Sequence, residues 1–208
     1  DGQRLVQVDF GFDGNQMLVS SDRGYVIKLC QLPPVSSEPE HAGNELVTVG
    51  QLRLPVDHRA SLLHRTNHCL LFGEYIGEYR FDEGDGNVVT RGVNQFRAAC
   101  TDHATKRIFS AAFDGRIRLH DWQGHILKTG NRWESDDNGR RRWPEMTAIT
   151  ITPDRESLLT GGHDGSIAIW NSRDLRFIGT LIPANNLGPI TNIAFADDSR
   201  LWMYHQRM

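Results

Sequence analysis

Apolar and polar residues along this chain alternate in short runs of β-branched and aromatic side chains, and Gly, Asp and Asn break the runs about every 8–12 residues. Helical periodicity is almost lacking, so the pattern predicts an antiparallel all-β protein. The clearest stretch is 146–182, which divides into strands at Met146–Ile151, Ser157–Gly161, Ser166–Trp170 and Phe177–Ile182. The breaks between them are Pro153-Asp154, Asp164-Gly165 and Ser172-Arg173-Asp174. Proline fixes φ, glycine reaches positive φ, and Asp and Ser bond the local backbone, so each break is a turn with a physical cause. Four strands joined by tight turns make one antiparallel sheet.

The same four-beat unit recurs. Residues 96–130 read as FRAACTD, RIFSAAFDG, RIRLHDW and HILKTG, and aligning the Asp-Gly pairs sets Asp114-Gly115 under Asp164-Gly165. Ser110 then falls under Thr160, Ile117 under Ile167 and His120 under Trp170. Looser copies occupy residues 5–54 and 60–93, and residues 190–208 begin a fifth copy that holds two strands. Self-similarity at this period with four strands per unit predicts a β-propeller. A β-sandwich is the alternative all-β arrangement, but it has no need of a repeated Asp-Gly register.

These segments resemble the WD-repeat family. GGHDGSIAIWN (161–171) looks like that family's second strand, Asp-Gly turn and third strand, with Trp170-Asn171 where the Trp-Asp dipeptide stands. FDGRIRLHDW (113–122) is a weaker match, with His120-Asp121 at the dipeptide position. The resemblance implies a hydrogen-bonded tetrad of Trp, Ser/Thr, Asp and His. Thr160, Asp164 and Trp170 match three members by position, Ser110 and Asp114 match in the preceding unit, and no His precedes the strand near Trp143-Pro144-Glu145. Only partial tetrad bonding is therefore expected. About four and a half blades fall short of the seven that the resemblance implies. The expectation is an incomplete ring, finished by further sequence of a longer protein or by another chain, because a blade cannot bury both faces alone.

Composition narrows the function. Hydrophobic residues are 38% and charged residues 24% of the 208, an ordinary globular balance, and the formal net charge is −3. That charge makes nucleic acid an unlikely partner, and no apolar run approaches the ~18–20 residues of a membrane span. Basic charge rests on 20 Arg against Lys28, Lys106 and Lys128. Cys30, Cys69 and Cys100 are widely spaced within apolar runs, which fits reduced core thiols and a cytoplasmic setting.

No phosphate loop, nucleophile elbow or zinc-protease motif occurs. The glycine-rich 161–165 segment precedes a strand pattern and not a helix, which makes it a turn. His58, His64 and His68 invite a metal reading, yet the i, i+4 spacing of the last two serves a helix, not a strand. Glu74, Glu78, Asp82, Glu83 and Asp85 lack the twelve-residue calcium-loop pattern, and 82–86 reads as a solvated turn. No cofactor and no catalytic residue are expected.

The strongest functional candidate is the insert 131–145, which carries Trp133 and Trp143 beside Arg140, Arg141 and Arg142. By propeller geometry it emerges on the same face as the turns at Phe113 and His163. Trp and Arg dominate interaction hot spots, because one desolvates large area and the other bonds bidentately. A second insert, 33–45, is Pro-, Ser- and acid-rich and reads as a flexible loop. The reading is a non-catalytic scaffold that binds protein partners through this loop face. The alternatives are a cofactor- or metal-bearing propeller enzyme and a nucleic-acid-binding propeller that uses the Arg triplet.

Overall fold

The structure, a computed structural model, describes residues 5–10, 15–21, 26–32, 47–53, 58–65, 68–73, 76–81, 85–90, 96–131, 134–135, 141–142, 145–185, 187–195 and 200–205. Every regular element among them is a strand. Sheet one runs β1 (Leu5–Phe10), β2 (Gln16–Ser21), β3 (Val26–Gln31), β4 (Val47–Arg53), in that spatial order. Sheet two is β5 (His58–Arg65), β6 (His68–Gly73), β7 (Ile76–Arg80), β8 (Asp85–Thr90). Sheet three is β9 (Phe96–Asp102), β10 (Arg107–Ala112), β11 (Arg116–His120), β12 (Ile126–Asn131). The insert holds a small hairpin of β13 (Glu134–Ser135) and β14 (Arg141–Arg142). Sheet four is β15 (Met146–Ile151), β16 (Ser157–Gly162), β17 (Ile167–Asn171), β18 (Phe177–Ile182), and β19 (Ile190–Phe195) pairs with β20 (Leu201–His205).

Each four-stranded sheet is an antiparallel meander, and the sheets pack face to face in chain order. The first strands converge: β1 approaches β5, β5 approaches β9, β9 approaches β15 and β15 approaches β19. Fourth strands lie outside, where Leu127 of β12 and Ile178 and Leu181 of β18 are exposed. Strands ordered from a shared axis outward, with successive sheets covering one another, make an incomplete β-propeller. A sandwich would leave one face of each sheet to solvent.

The alternation of side chains across the strands decides this packing. In β10, Ile108 and Ala112 pack towards sheet two with Leu70, Phe72, Ile76 and Phe96. Its Phe109 and Ala111 pack towards sheet four with Leu158, Ala168 and Trp170. Sheet two likewise gives Cys69 and Leu71 to sheet one and Leu70 and Phe72 to sheet three. Sheet four gives Ala148, Leu159 and Ile167 to Ile190 and Ile193. The approach there is close, since a Cβ on Gly161 would lie 2.6 Å from Ile190 Cγ2. Each fully buried Ile, Leu or Phe contributes roughly 1.5–3 kcal/mol, so these layers hold the fold. The two-stranded fifth sheet has no such cover on its last strand, where Trp202 and Tyr204 are 63% and 67% exposed.

Candidate interaction face

The turns between second and third strands define one face of the arc. At Asp114-Gly115 and Asp164-Gly165 the glycines take φ of 67° and 78°, a region L side chains rarely enter. Gly115 N–H donates to the Ala112 carbonyl at 3.1 Å, and Gly165 N–H donates to the Gly162 carbonyl at 3.2 Å. Each aspartate Oδ1 accepts a backbone N–H two residues on, from Arg116 at 3.1 Å and from Ser166 at 3.0 Å. The two turns are equivalent in backbone and in side chain.

Register carries the equivalence into the blades. Leu158 pairs with Trp170 and Thr160 with Ala168, while Ile108 pairs with His120 and Ser110 with Arg118. Trp170 Nε1–H donates to Thr160 Oγ1 at 2.9 Å with the indole fully buried. In the preceding blade His120 Nε2 lies 2.7 Å from Ser110 Oγ, and its Nδ1 lies 3.1 Å from the Gly124 carbonyl. A carbonyl only accepts, so Nδ1 carries the proton and the neutral ring accepts the Ser110 hydroxyl through Nε2. Burial holds the His120 pKa down at about 4. The Gly124 carbonyl opposes that shift, Arg118 adds to it, and Asp121 opposes it. At the corresponding positions of sheets one and two, Val19 and Leu71 replace the hydroxyl residue, and no such bond can form there.

The third strands end in matching turns. Asp121 Oδ1 accepts the N–H groups of Gln123 at 3.0 Å and His125 at 2.9 Å. Burial opposes its ionisation, but the His125 side chain and the two backbone bonds outweigh it and hold the carboxyl below its ordinary range. Asn171 Oδ1 does the same work on Arg173 N–H at 2.9 Å and Asp174 N–H at 3.1 Å. An amide oxygen therefore replaces the expected aspartate without loss of the turn.

The two blades differ at the turn aspartates. Asp164 Oδ1 accepts the Ser166 N–H within its own turn. Asp114 has a further partner: Arg118 Nη2–H donates to its Oδ2 at 2.7 Å from a side chain 1% exposed. The Arg118 guanidinium also sits 5.4 Å from the Phe96 ring centroid. Arg116 Nε stands 3.8 Å from the same Oδ2 and reaches outward. Phe113, at the tip, is 42% exposed, with the Arg97 guanidinium 5.2 Å from its ring centroid.

Linkers between blades reach the same face. His163 N–H donates to the Glu145 carbonyl at 2.9 Å, which ties the turn of sheet four to the end of the insert. Asn185 Nδ2–H donates to the Gly165 carbonyl at 2.9 Å, and Asn185 N–H to the Asp164 carbonyl at 3.0 Å. The linker after sheet four thus lies over its turn and leaves Leu187 exposed. Of the residues singled out from the sequence, Phe113 and His163 stand exposed on this face, and Arg141 and Arg142 form β14 opposite Ser135 and Glu134. Trp133, Arg140 and Trp143, like the insert 33–45, lie outside the described residues. Arg97, Arg116, Arg118 and Asn185 were not anticipated. The signal available for the arginines was RIRLH, whose alternation puts Arg116, Arg118 and His120 on one side of β11.

One other expectation changes. Asp85 and Gly86, read as part of a solvated turn, belong to β8 opposite Arg80 and Tyr79. The histidine series does not gather: His58 pairs with Gly73 at one end of sheet two, while His68 pairs with Arg65 at the other and stands 3.6 Å from Glu78. Among the described residues no three His, Cys, Asp or Glu side chains group as metal ligands. At the opposite ends of the strands, a cleft of about 270 Å³ between sheets three and four is lined by Asp102, Asp154 and Glu156 against Arg107, Arg155 and Arg173, so it favours neither sign of charge.

Fold and turns together define an incomplete β-propeller of four-stranded antiparallel sheets. Residues 142–171, from β14 through β17, match the family model described as "WD domain, G-beta repeat". No curated protein matches the chain. A WD repeat suggests a protein-interaction scaffold, and WD domains are typically non-catalytic. No helix among the described residues is long and apolar enough to cross a membrane.

Proposed function

We propose that this chain is a scaffold that holds a protein partner on the face formed by the turns at Phe113 and His163, the hairpin β13–β14 and the linker at Leu187. The observation that carries the reading is that Glu145 and Asn185 are both bonded to the turn of sheet four while the turn at Phe113 closes on Ala112, which presents an exposed ring, an imidazole and an aliphatic side chain on one face. Preorganised contacts lose little entropy on binding, and a few buried aromatic and Arg anchors supply most of the affinity of an interface. Function drawn from a fold is analogy, and the residues of the face give it particular content. The proposal includes a cytoplasmic setting, and a ring completed by further sequence or by another chain.

The test is affinity capture with the chain as bait, compared with a variant carrying Arg142→Glu and His163→Glu. The expected outcome is loss of the captured partners with an unchanged circular-dichroism melt. Capture that survives both changes removes this face from the account.

A further inference from the structure

We propose that the cleft between sheets three and four, at the strand ends opposite the Asp-Gly turns, binds a polypeptide segment of a partner in which acidic and basic side chains stand next to one another. This is a second surface, on the other side of the arc from the turn face above.

The cleft measures about 270 Å³, and both of its walls carry charges of both signs. Sheet three supplies Asp102 and Arg107, register partners across β9 and β10. Sheet four supplies Asp154, Arg155 and Glu156 from the turn between β15 and β16, and Arg173 from the turn between β17 and β18. Among the described residues these six side chains form no ion pair, with one another or with any neighbour. Two of the carboxylates are engaged by their own turns. Asp102 accepts the Ala104 N–H at 3.2 Å and the Thr105 hydroxyl, and Asp154 accepts the Glu156 N–H at 2.9 Å and the Thr152 hydroxyl. The Glu156 carboxylate and the three guanidinium groups make no hydrogen bond to a described residue.

The backbone beneath these charges is fixed. Ser172 donates its hydroxyl to the Arg155 carbonyl at 2.6 Å and its N–H to the Glu156 carbonyl at 3.0 Å, which fastens the two turns of sheet four together. Arg155 itself takes φ of 62°, a left-handed conformation that glycine enters without strain. The chain thus holds a long cation on the cleft where its backbone favours glycine.

Volume and charge narrow the occupant. Sites that enclose a drug-sized molecule start at roughly 300 Å³, so this cleft suits side chains that project from a larger partner. An apolar side chain would strip water from the charged groups and return no bond. A run of phosphates or acids alone would meet three carboxylates, and a basic run alone would meet three guanidinium groups, so like-charge contact opposes both. A segment of mixed sign satisfies both sets. Its acids reach Arg107, Arg155 and Arg173, which can bond bidentately, and its bases reach Glu156.

Fluorescence anisotropy on the whole chain tests the assignment with three labelled peptides of equal length, alternating Glu with Arg, Glu with Ser, and Arg with Ser. The mixed peptide is expected to bind, more weakly as salt rises, and each single-sign peptide to bind at least about tenfold more weakly. Arg173→Glu and Glu156→Lys should each weaken the mixed peptide at least about tenfold. Arg155→Gly should weaken it about three- to tenfold without lowering the melting temperature, because glycine accepts the positive φ. That variant keeps the proposal testable if a charge reversal unfolds the chain. The Arg142→Glu, His163→Glu variant, altered on the turn face, should bind the mixed peptide as the wild type does. No binding of the mixed peptide, equal binding of a single-sign peptide, unchanged binding by cleft variants that melt like the wild type, or loss of binding in the turn-face variant overturns the assignment. Such a failure, with capture still dependent on Arg142 and His163, leaves the turn-face scaffold standing.

Discussion

The third and fourth sheets put the same backbone to different chemical use. Both close their turns with an Asp-Gly pair and both bury a ring that bonds a hydroxyl two register positions away. In the fourth sheet the Trp170 indole donates to Thr160. In the third the direction reverses, and Ser110 donates to a neutral His120. The fourth needs no charge behind its turn, where Ala168 fills the slot. The third fills that slot with Arg118 and binds it to Asp114. Blade geometry thus depends on where a ring and a hydroxyl sit, and tolerates which of them carries the proton. The cost of the substitution is a blade that answers to pH and contains a buried charge.

The largest expected effect is on the apolar version of the slot. Trp170→Ala should destabilise the chain by about 3–5 kcal/mol in chemical denaturation, because it empties the layer between sheets three and four and leaves Thr160 without its donor. A loss below about 1 kcal/mol would mean that Trp170 does not pack between blades.

The charged version should be sensitive to its partner. Asp114→Ala strands the Arg118 guanidinium in the interior and is expected to cost about 3 kcal/mol, whereas Asp164→Ala removes only a local turn bond and should cost about 1 kcal/mol. Equal losses in thermal melts of the two variants would erase the distinction between the blades.

Acid should separate the blades through His120. Unfolding returns the imidazole to water, where its pKa is 6.5, against about 4 in the fold. Between those values the unfolded chain holds the extra proton. Stability is therefore full above pH 6.5, declines as pH falls towards about 4, and levels below that. The share assigned to His120 is about 3 kcal/mol. Asp121 and Asp154, both held below the ordinary carboxylate range, lose their contributions only at lower pH. His120→Gln keeps a donor and an acceptor without titrating, so its decline over that window should be shallower, measured as denaturation midpoints at matched pH. What decline remains comes from other groups, among them His103, whose pKa burial also lowers. A variant that declines as steeply as the wild type would place the acid response elsewhere.

What could be read from the sequence follows from range. The Asp-Gly turns were visible because positive φ and an aspartate accepting its own backbone are local demands, satisfied within three residues. The strands of sheets three and four followed from alternation for the same reason. The pairing of His120 with Ser110 was foreshadowed by alignment with Trp170 and Thr160, although which group donates depends on the Gly124 carbonyl. Arg118 escaped notice because no pattern rule places a guanidinium in a core, and its burial is decided by Asp114 and Phe96 meeting it in space. Arg97 over Phe113 joins the start of one strand to a turn past the next, a proximity that spacing does not encode. The histidine spacing carried no site, as read: His64 and His68 flank the turn between β5 and β6, while His58 lies at the far end of the same ladder.

The central claim is that residues 96–130 and 146–182 are successive, separate sheets stacked about one axis. Nuclear Overhauser contacts in the labelled chain test it most directly. The expected result is side-chain contact from Phe109 to Met146 and Leu158 across the blade interface, with no backbone Hα–Hα contact between β12 and β15. Backbone contacts that run β12 into β15 as neighbours of one continuous sheet would contradict it.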